Sequence, residues 1–313
     1  MNTRCEKHTL DVGQGHKLYI EDCGPKSAFP TLFLHGGPGA GFSEKDKTFF
    51  DLNSQRVIFF DQRGSGKSTP KASTENNTTQ DLISDILSIL DFFSIEQCIV
   101  FGGSWGSTLS LCFAIAHPEK VHSLILRGIF LGTSDENNHY FRDGANRIFP
   151  DVFEKFLQKV PREHQEYPIQ YYEKMLHNKD IEKAEEFAKA FAAFEIGMAS
   201  LHFDPDQVAS EVSSEPCLAF AKIECHYLLR HCFLEEGHIM NNLSQIQDKN
   251  ISIIHGRYDA ICAAKVAYKL HKALPNSKLY LTKAGHHSRD EENFKALRSA
   301  VQETYQKLRV KNL

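Results

Sequence analysis

The sequence predicts an α/β protein in which a mostly parallel central sheet has helices on both faces and carries an inserted helical cap. Short apolar runs alternate with amphipathic segments at both ends of the chain, a pattern typical of strand–helix–strand units. The middle of the chain has helical periodicity without a convincing strand. Residues 1–134 and 237–313 are therefore predicted to form the core, and residues 135–236 the cap.

The individual elements follow from apolar spacing. Six apolar runs are predicted strands: residues 31–34, 57–60, 98–101, 124–126, 251–254 and 279–281. Leu82, Ile86 and Leu90 recur at helical spacing and predict a helix between the second and third of these strands. Further helices are predicted at residues 108–116, 263–273 and 291–308 in the core and at residues 152–159, 181–198 and 218–229 in the cap.

Composition excludes several classes of partner. The 313 residues are 41% hydrophobic, enough for a large core. Lysine and arginine total 36 against 40 acidic residues, so nothing in the charge favours nucleic acid or an anionic membrane. The first residues lack the apolar stretch of a secretory signal, and no run of about 18 apolar residues occurs, which predicts a cytoplasmic protein. Its eight cysteines form no Cys-x-x-Cys pair and are predicted to be reduced thiols.

A nucleophile motif lies where a predicted strand meets a predicted helix. Residues 102–106 read Gly-Gly-Ser-Trp-Gly. Glycines on both sides of the serine let strand and helix approach closely while the hydroxyl projects from the turn. A plain glycine-rich turn has the same letters, but the strand before it and the helix after it favour Ser104 as a nucleophile.

A serine hydroxyl needs a general base, and the base needs an acid to fix its tautomer. Asp259 follows the predicted strand at residues 251–254, and His286 follows the one at residues 279–281. All three groups are therefore expected at the carboxyl edge of one sheet. The order Ser, Asp, His is that of the α/β-hydrolase fold. His287 is the local alternative to His286.

Acyl transfer also needs donors aimed at the developing oxyanion. The backbone amide of Trp105 is one candidate, and the loop at residues 35–39 supplies a second, Gly37. No metal-ligand spacing such as His-Glu-x-x-His occurs, so we expect no metal or other cofactor.

Two acidic residues of the cap fall on apolar helix faces. Winding residues 181–196 at about 100° per residue puts Glu195 on the apolar side, and the same construction on residues 217–229 surrounds Glu224 with apolar groups. Such carboxylates are costly to desolvate unless a cation or donors meet them. They are either structural acids satisfied by arginine or lysine, or a cation site that holds a substrate ammonium near the scissile carbonyl.

Five segments together resemble the proline iminopeptidases of the α/β-hydrolase superfamily. They are residues 35–39 (HGGPG), 61–68 (DQRGSGKS), 102–107 (GGSWGS), 256–259 (GRYD) and 284–286 (AGH). The match runs over nearly the whole chain. The resemblance implies that Ser104, Asp259 and His286 form a catalytic triad and that Glu195 and Glu224 bind the terminal amine of the substrate.

The cap departs from the family pattern at named positions. Phe191 and Phe194 stand where the family has tryptophans before the glutamate, and they are expected to shape the substrate pocket. Cys225 follows Glu224 where asparagine is usual.

The implied activity is that of a serine aminopeptidase releasing N-terminal residues, preferentially proline, from small peptides with a free N-terminus. An esterase or amidase acting on uncharged acyl groups is the alternative within enzymes, and the two cap acids argue against it. A noncatalytic ligand receptor on the same fold would not need serine, acid and base together.

Overall fold

The computed structural model describes residues 5–214 and 217–311 of the chain. Its strands form one sheet: β1 (Cys5–Gly13), β2 (His16–Cys23), β3 (Pro30–Leu34), β4 (Arg56–Phe60), β5 (Cys98–Gly103), β6 (Val121–Arg127), β7 (Asn250–Gly256) and β8 (Ser277–Thr282).

Helices surround this sheet and fill the middle of the chain. In chain order they are α1 (Thr79–Phe92), α2 (Trp105–Ala116), α3 (Ser134–Phe141), α4 (Ala145–Ile148), α5 (Pro150–Gln158), α6 (Pro168–Leu176), α7 (Ile181–Ala199), α8 (Pro205–Ser214), α9 (Cys217–Leu229), α10 (His238–Asn241), α11 (Ala264–Ala273) and α12 (Glu291–Lys311). Within residues 5–214 and 217–311, no helix has the length and apolar character needed to cross a membrane.

The sheet is parallel over most of its width. Strands β3 to β8 are parallel, in the spatial order β4-β3-β5-β6-β7-β8, and the antiparallel hairpin β1–β2 pairs with β4 at one edge. The six predicted strands are all confirmed, because buried parallel strands have continuous apolar runs. The hairpin was not predicted, since β1 is a half-exposed edge strand with charged residues such as Glu6 and Lys7.

Apolar clusters lie on both faces of the sheet, which confirms the predicted layers. One face packs against α1, α2 and α11, with Ile86, Leu109 and Leu270 fully buried. The other face packs against α12 through Leu297 and Val301. The carboxyl ends of β5, β7 and β8 meet at one edge because these strands are parallel, and the loops that follow them lie side by side.

The chain between β6 and β7 contains α3 to α10. Three of these helices, α5, α7 and α9, lie where periodicity predicts them. The shorter ones, such as α4 and α10, offer too few turns for a periodic signal. The exact boundaries of the core and the cap, at residues 134/135 and 236/237, remain a prediction.

One expectation about the cysteines is wrong. Cys5 and Cys23 face each other in the β1–β2 register and form a disulfide, with their Cα atoms 4.2 Å apart. The other six cysteines are reduced and buried. The spacing of Cys5 and Cys23 in the sequence does not predict this disulfide, because only the strand register brings the two thiols together.

Alkylation of the unfolded protein tests this pairing. Because one disulfide removes two of the eight cysteines, denaturant without reductant should expose six reactive thiols. Denaturant with reductant should expose all eight. Mass spectrometry of the alkylated chain gives both counts, and eight labels before reduction would contradict the pairing.

Candidate active site

Ser104 sits in a sharp turn between β5 and α2, with φ 57° and ψ −125°. This left-handed conformation is uncommon for a residue with a side chain. The neighbouring glycines make it possible. A β-carbon on Gly102 would lie 2.1 Å from the Gly106 carbonyl oxygen, and one on Gly106 would lie 2.2 Å from that of Leu34. Only glycine fits at both positions, and the serine side chain is left to point away from the strand.

Asp259 and His286 face each other across the loops that follow β7 and β8. The imidazole Nδ1 lies 2.8 Å from Oδ2 of Asp259, and both residues are buried. The other carboxylate oxygen accepts the backbone N–H groups of Ile261 and Cys262. Burial alone would raise the pKa of Asp259. The charge of His286 and the hydrogen bond that it donates outweigh burial, and the pKa is lowered. The carboxylate is thus suited to orient the imidazole.

His287, the local alternative, points elsewhere. Its Nδ1 accepts the backbone N–H of Arg289. Burial, reinforced by the charge of Arg127, lowers its pKa to about 4. The geometry therefore supports His286, rather than His287, as the partner of Asp259.

Arg127, at the end of β6, is a site residue that sequence reasoning missed. Its Nη1 lies 3.0 Å from Nε2 of His286 and donates to the backbone carbonyl of the same residue at 2.9 Å. A guanidinium only donates, so Nε2 has to be the acceptor and Nδ1 carries the proton. Asp259 requires the same tautomer. That tautomer leaves a lone pair on Nε2, as a general base needs.

Arg127 is the neighbour that the structure gives to Nε2 of His286. Among the hydrogen bonds of the described residues, Nε2 pairs with Arg127 rather than with the serine hydroxyl. The backbone N–H of Ser104 donates to the carbonyl of Arg127 at 2.8 Å. Arg127 therefore contacts both His286 and Ser104.

A cavity of about 290 Å³ opens beside Ser104. Gly37, Arg127, Glu195 and His286 line it together with the serine. The loop after β3 approaches the nucleophile closely, since a β-carbon on Gly36 would lie 3.5 Å from that of Ser104. Trp105 is the first residue of α2, where backbone amides have no partner within the helix. Both predicted oxyanion donors thus lie next to the serine.

The two cap acids lie beside each other, and Glu195 also lines this cavity. Glu195, on α7, accepts the hydroxyl of Tyr140 at 2.8 Å. Glu224, on α9, is 3% exposed, and among the residues that the structure describes its Oε2 has no hydrogen-bond partner. Burial first, then the charge of Glu195 and a hydrogen bond between the two side chains, raise the pKa of Glu224 well above its ordinary value. Burial beside Glu195 thus favours the protonated form of Glu224.

Tyr140 was not predicted, and it fixes Glu195. Burial, followed by the charges of the two glutamates, raises its pKa well above the ordinary value, so the hydroxyl stays protonated and donates. Its ring packs against those of Phe141 and Phe194, at centroid distances of 4.5 and 5.1 Å. Tyr140 links the carboxylate pair to the aromatic interior of the cap.

Phe191 and Phe194 lie in that aromatic interior. They are 0% and 1% exposed, and Phe194 stacks on Phe156 at 4.2 Å. Neither is among the residues lining the cavity beside Ser104. The packing supports Tyr140 through Phe194, and direct contact between these phenylalanines and a substrate remains a prediction.

Within residues 5–214 and 217–311, two groups of side chains have metal-ligating atoms within 4.8 Å of one another: Asp259, Cys262 and His286, and Cys5, Glu21 and Cys23. In the first group the carboxylate and imidazole are hydrogen-bonded to each other, and burial raises the pKa of the Cys262 thiol well above its ordinary value. In the second group the two sulfurs are joined. The carboxylate and imidazole of the first group and the two sulfurs of the second are therefore already bonded to each other.

Comparison with known proteins assigns the class. A family model described as the alpha/beta hydrolase fold matches residues 30–292, so the chain belongs to the α/β hydrolases. Among solved structures, an esterase from Exiguobacterium antarcticum superimposes with a TM-score of 0.66 at 21% identity, covering 95% of this chain and 99% of that one. This likeness shows the shared fold.

Curated relatives narrow the class further. A proline iminopeptidase from Xylella fastidiosa is 38% identical over 297 residues, which is 94% of this chain and 95% of the relative. One from Arabidopsis thaliana is 39% identical over 289 residues, covering 92% of this chain and 76% of the relative. The chain belongs to the proline iminopeptidase family.

The raised pKa of Glu224 predicts a pH-dependent effect of Glu224→Gln on stability. The folded state holds this proton more tightly than the unfolded state, where the pKa is near the ordinary 4.5. The stabilisation is complete below that value and is lost as the pH rises towards the folded pKa. Glutamine imitates the protonated acid and cannot titrate. We therefore expect the Tm of the variant to exceed that of the parent by more at about pH 8 than at about pH 5.

Scanning calorimetry at both pH values measures this difference. Glu185→Gln is the matched control, since it makes the same chemical change at an exposed position of α7 and should leave the two Tm differences equal. A Glu224→Gln difference that is constant with pH, or that shrinks as the pH rises, would contradict the assignment of the proton.

Proposed function

We propose that this chain is a serine aminopeptidase that releases N-terminal residues, preferentially proline, from small peptides with a free N-terminus. The observation that carries the proposal is the pair of half-buried Glu195 and buried Glu224. Among the described residues neither carboxyl group forms an ion pair with a lysine or arginine, and Arg127 acts on Glu195 only as a more distant charge. The structural interpretation of these acids requires an arginine or lysine partner. A substrate ammonium supplies the missing charge.

The donor count of proline suits this pair. A protonated N-terminal proline has one positive charge and two N–H groups, so each glutamate can accept one. Glu224 Oε2 lacks a partner and offers a free acceptor. An acetylated proline has neither the charge nor the donors, and would leave Oε2 of buried Glu224 without a donor.

The reaction follows from the groups around Ser104. His286, held in the required tautomer by Asp259, takes the hydroxyl proton, and the serine oxygen attacks the first carbonyl of the peptide. The amides of Trp105 and Gly37 stabilise the oxyanion. The imidazolium then protonates the leaving amine, and water hydrolyses the acyl-enzyme.

Three substrates and two variants test the proposal. The substrates are prolyl p-nitroanilide, its N-acetyl derivative and p-nitrophenyl acetate, which has no amine. The parent should cleave the free prolyl anilide and not the acetylated one. Ser104→Ala should lower the rate of hydrolysis of every cleaved substrate by more than about a thousandfold. Glu195→Gln should lower kcat/KM for the prolyl anilide by about tenfold to a hundredfold, the value of one charged hydrogen bond.

The ester serves as internal control. Its hydrolysis needs the triad but no ammonium site, so Glu195→Gln should change it by less than about twofold. Glu185→Gln, exposed on the same helix, should change neither rate. An enzyme that prefers the ester, and is indifferent to acetylation and to Glu195→Gln, is an esterase and overturns the proposal.

A further inference from the structure

The helix that carries Glu224 also carries a tyrosine that reaches the core. Tyr227 lies one helical turn after Glu224 on α9 and is 0% exposed. Its hydroxyl donates to Oδ1 of Asn77 at 2.8 Å. Asn77 belongs to the core, in the loop before α1. A single side chain thus spans from the cap helix bearing an amine-binding acid to the core.

The acceptor in the core is itself fixed. The side-chain amide of Asn77 donates to the backbone carbonyls of Arg63 and Ser73, at 3.1 and 2.9 Å, so its oxygen faces the cap. The backbone carbonyl of the same residue is within 3.0 Å of Nε2 of His226. Two consecutive residues of α9 therefore hold one buried asparagine.

The ring of Tyr227 touches the nucleophile turn. It meets the indole of Trp105 edge-on at a centroid distance of 4.7 Å, and Trp105 directly follows Ser104. The indole N–H donates to Gln62 at 2.9 Å, which holds the ring in place. Tyr227 thus contacts the turn that positions the nucleophile and also fixes the helix that positions Glu224.

In an aminopeptidase, the distance between the ammonium site and Ser104 has to match the distance between the amine and the first carbonyl of the substrate. The amine and the first carbonyl of a substrate are separated by a single carbon, so a small rotation of α9 would leave the amine bound and the carbonyl off Ser104. A misplacement of about 1 Å can cost about a hundredfold in rate. A substrate without an amine does not bind to the cap acids, so its alignment on Ser104 does not depend on their position.

We infer that Tyr227 is a positioning residue that sets the spacing between the ammonium site and the nucleophile through its hydrogen bond to Asn77. The inference rests on the proposed function and names a specificity determinant within it. Removing the hydroxyl keeps both glutamates and the triad, but the distance between the ammonium site and Ser104 is then less strictly fixed.

The test compares Tyr227→Phe with Tyr172→Phe. Tyr172 is the matched control because it is also 0% exposed and also donates one hydrogen bond at 2.8 Å, to the carbonyl of Phe156. That bond lies within the cap and does not reach the core. Rates on prolyl p-nitroanilide and on p-nitrophenyl acetate are expressed per mole of serine titrated with an organophosphonate, so that misfolded protein does not count.

Tyr227→Phe should lower kcat for the prolyl anilide by at least about tenfold with little change in KM, because the amine still binds but the carbonyl is misaligned. Ester hydrolysis should stay within about twofold. Tyr172→Phe should leave both rates within about twofold. Asn77→Ala removes the acceptor together with the amide hydrogen bonds to Arg63 and Ser73, so it should lose at least as much anilide activity as Tyr227→Phe. The double variant should lose no more than Asn77→Ala alone.

The measured rates distinguish a failure of the proposed function from a failure of the inference about Tyr227. If the parent cleaves the ester but not the prolyl anilide, the proposed function fails and the inference fails with it. If the parent cleaves the prolyl anilide while Tyr227→Phe behaves like Tyr172→Phe, only the inference fails. A parallel loss of ester and anilide rates would assign Tyr227 to the nucleophile turn alone and would also overturn the inference. If Tyr227→Phe yields no titratable enzyme, Asn77→Ala decides.

Discussion

The close approach of β5 and α2 at Gly102 and Gly106 is the constraint on which the site depends. It forces Ser104 into a left-handed conformation, which costs on the order of 1–3 kcal/mol. The same contact brings the carbonyl of Leu34 against Gly106, so the loop after β3 lies beside the serine. The N–H of Ser104 is held by the carbonyl of Arg127. Three neighbouring strands therefore converge on a single hydroxyl.

The cap contains two neighbouring acidic side chains, Glu195 and Glu224. Two carboxylates in an apolar interior repel each other and are poorly solvated, and the raised pKa of Glu224 relieves part of this cost by keeping one proton. Among the described residues, Oε2 of Glu224 has no hydrogen-bond donor, which is unfavourable for a buried polar atom. In the proposed function a substrate ammonium supplies that donor, so the pair would respond to the feature that distinguishes a free N-terminus from a blocked one.

The sequence predicts best what depends on local pattern. Strands β3 to β8 appear as continuous apolar runs, and the positions of Ser104, Asp259 and His286 follow from their place after particular strands. Partners that come from distant segments have no such signal: Arg127 looks like an ordinary strand end, and Tyr140 like part of a polar helix. Periodicity also identified the apolar face of α7 correctly, but an apolar face packs against protein or ligand alike, and Phe194 packs against protein.

Helix α9 explains how core and cap act together. Its Ile223 packs so closely on the loop after β3 that a β-carbon on Gly39 would lie 3.0 Å from that of the isoleucine, and Tyr227 packs on Trp105. One helix therefore contacts both loops expected to hold the oxyanion while it also carries Glu224. Because Ile223, Glu224 and Tyr227 lie on one helix, a displacement of α9 that moves Glu224 also disturbs these contacts. If Glu224 binds the amine as proposed, recognition of the N-terminus and alignment of the carbonyl are coupled through the packing of α9.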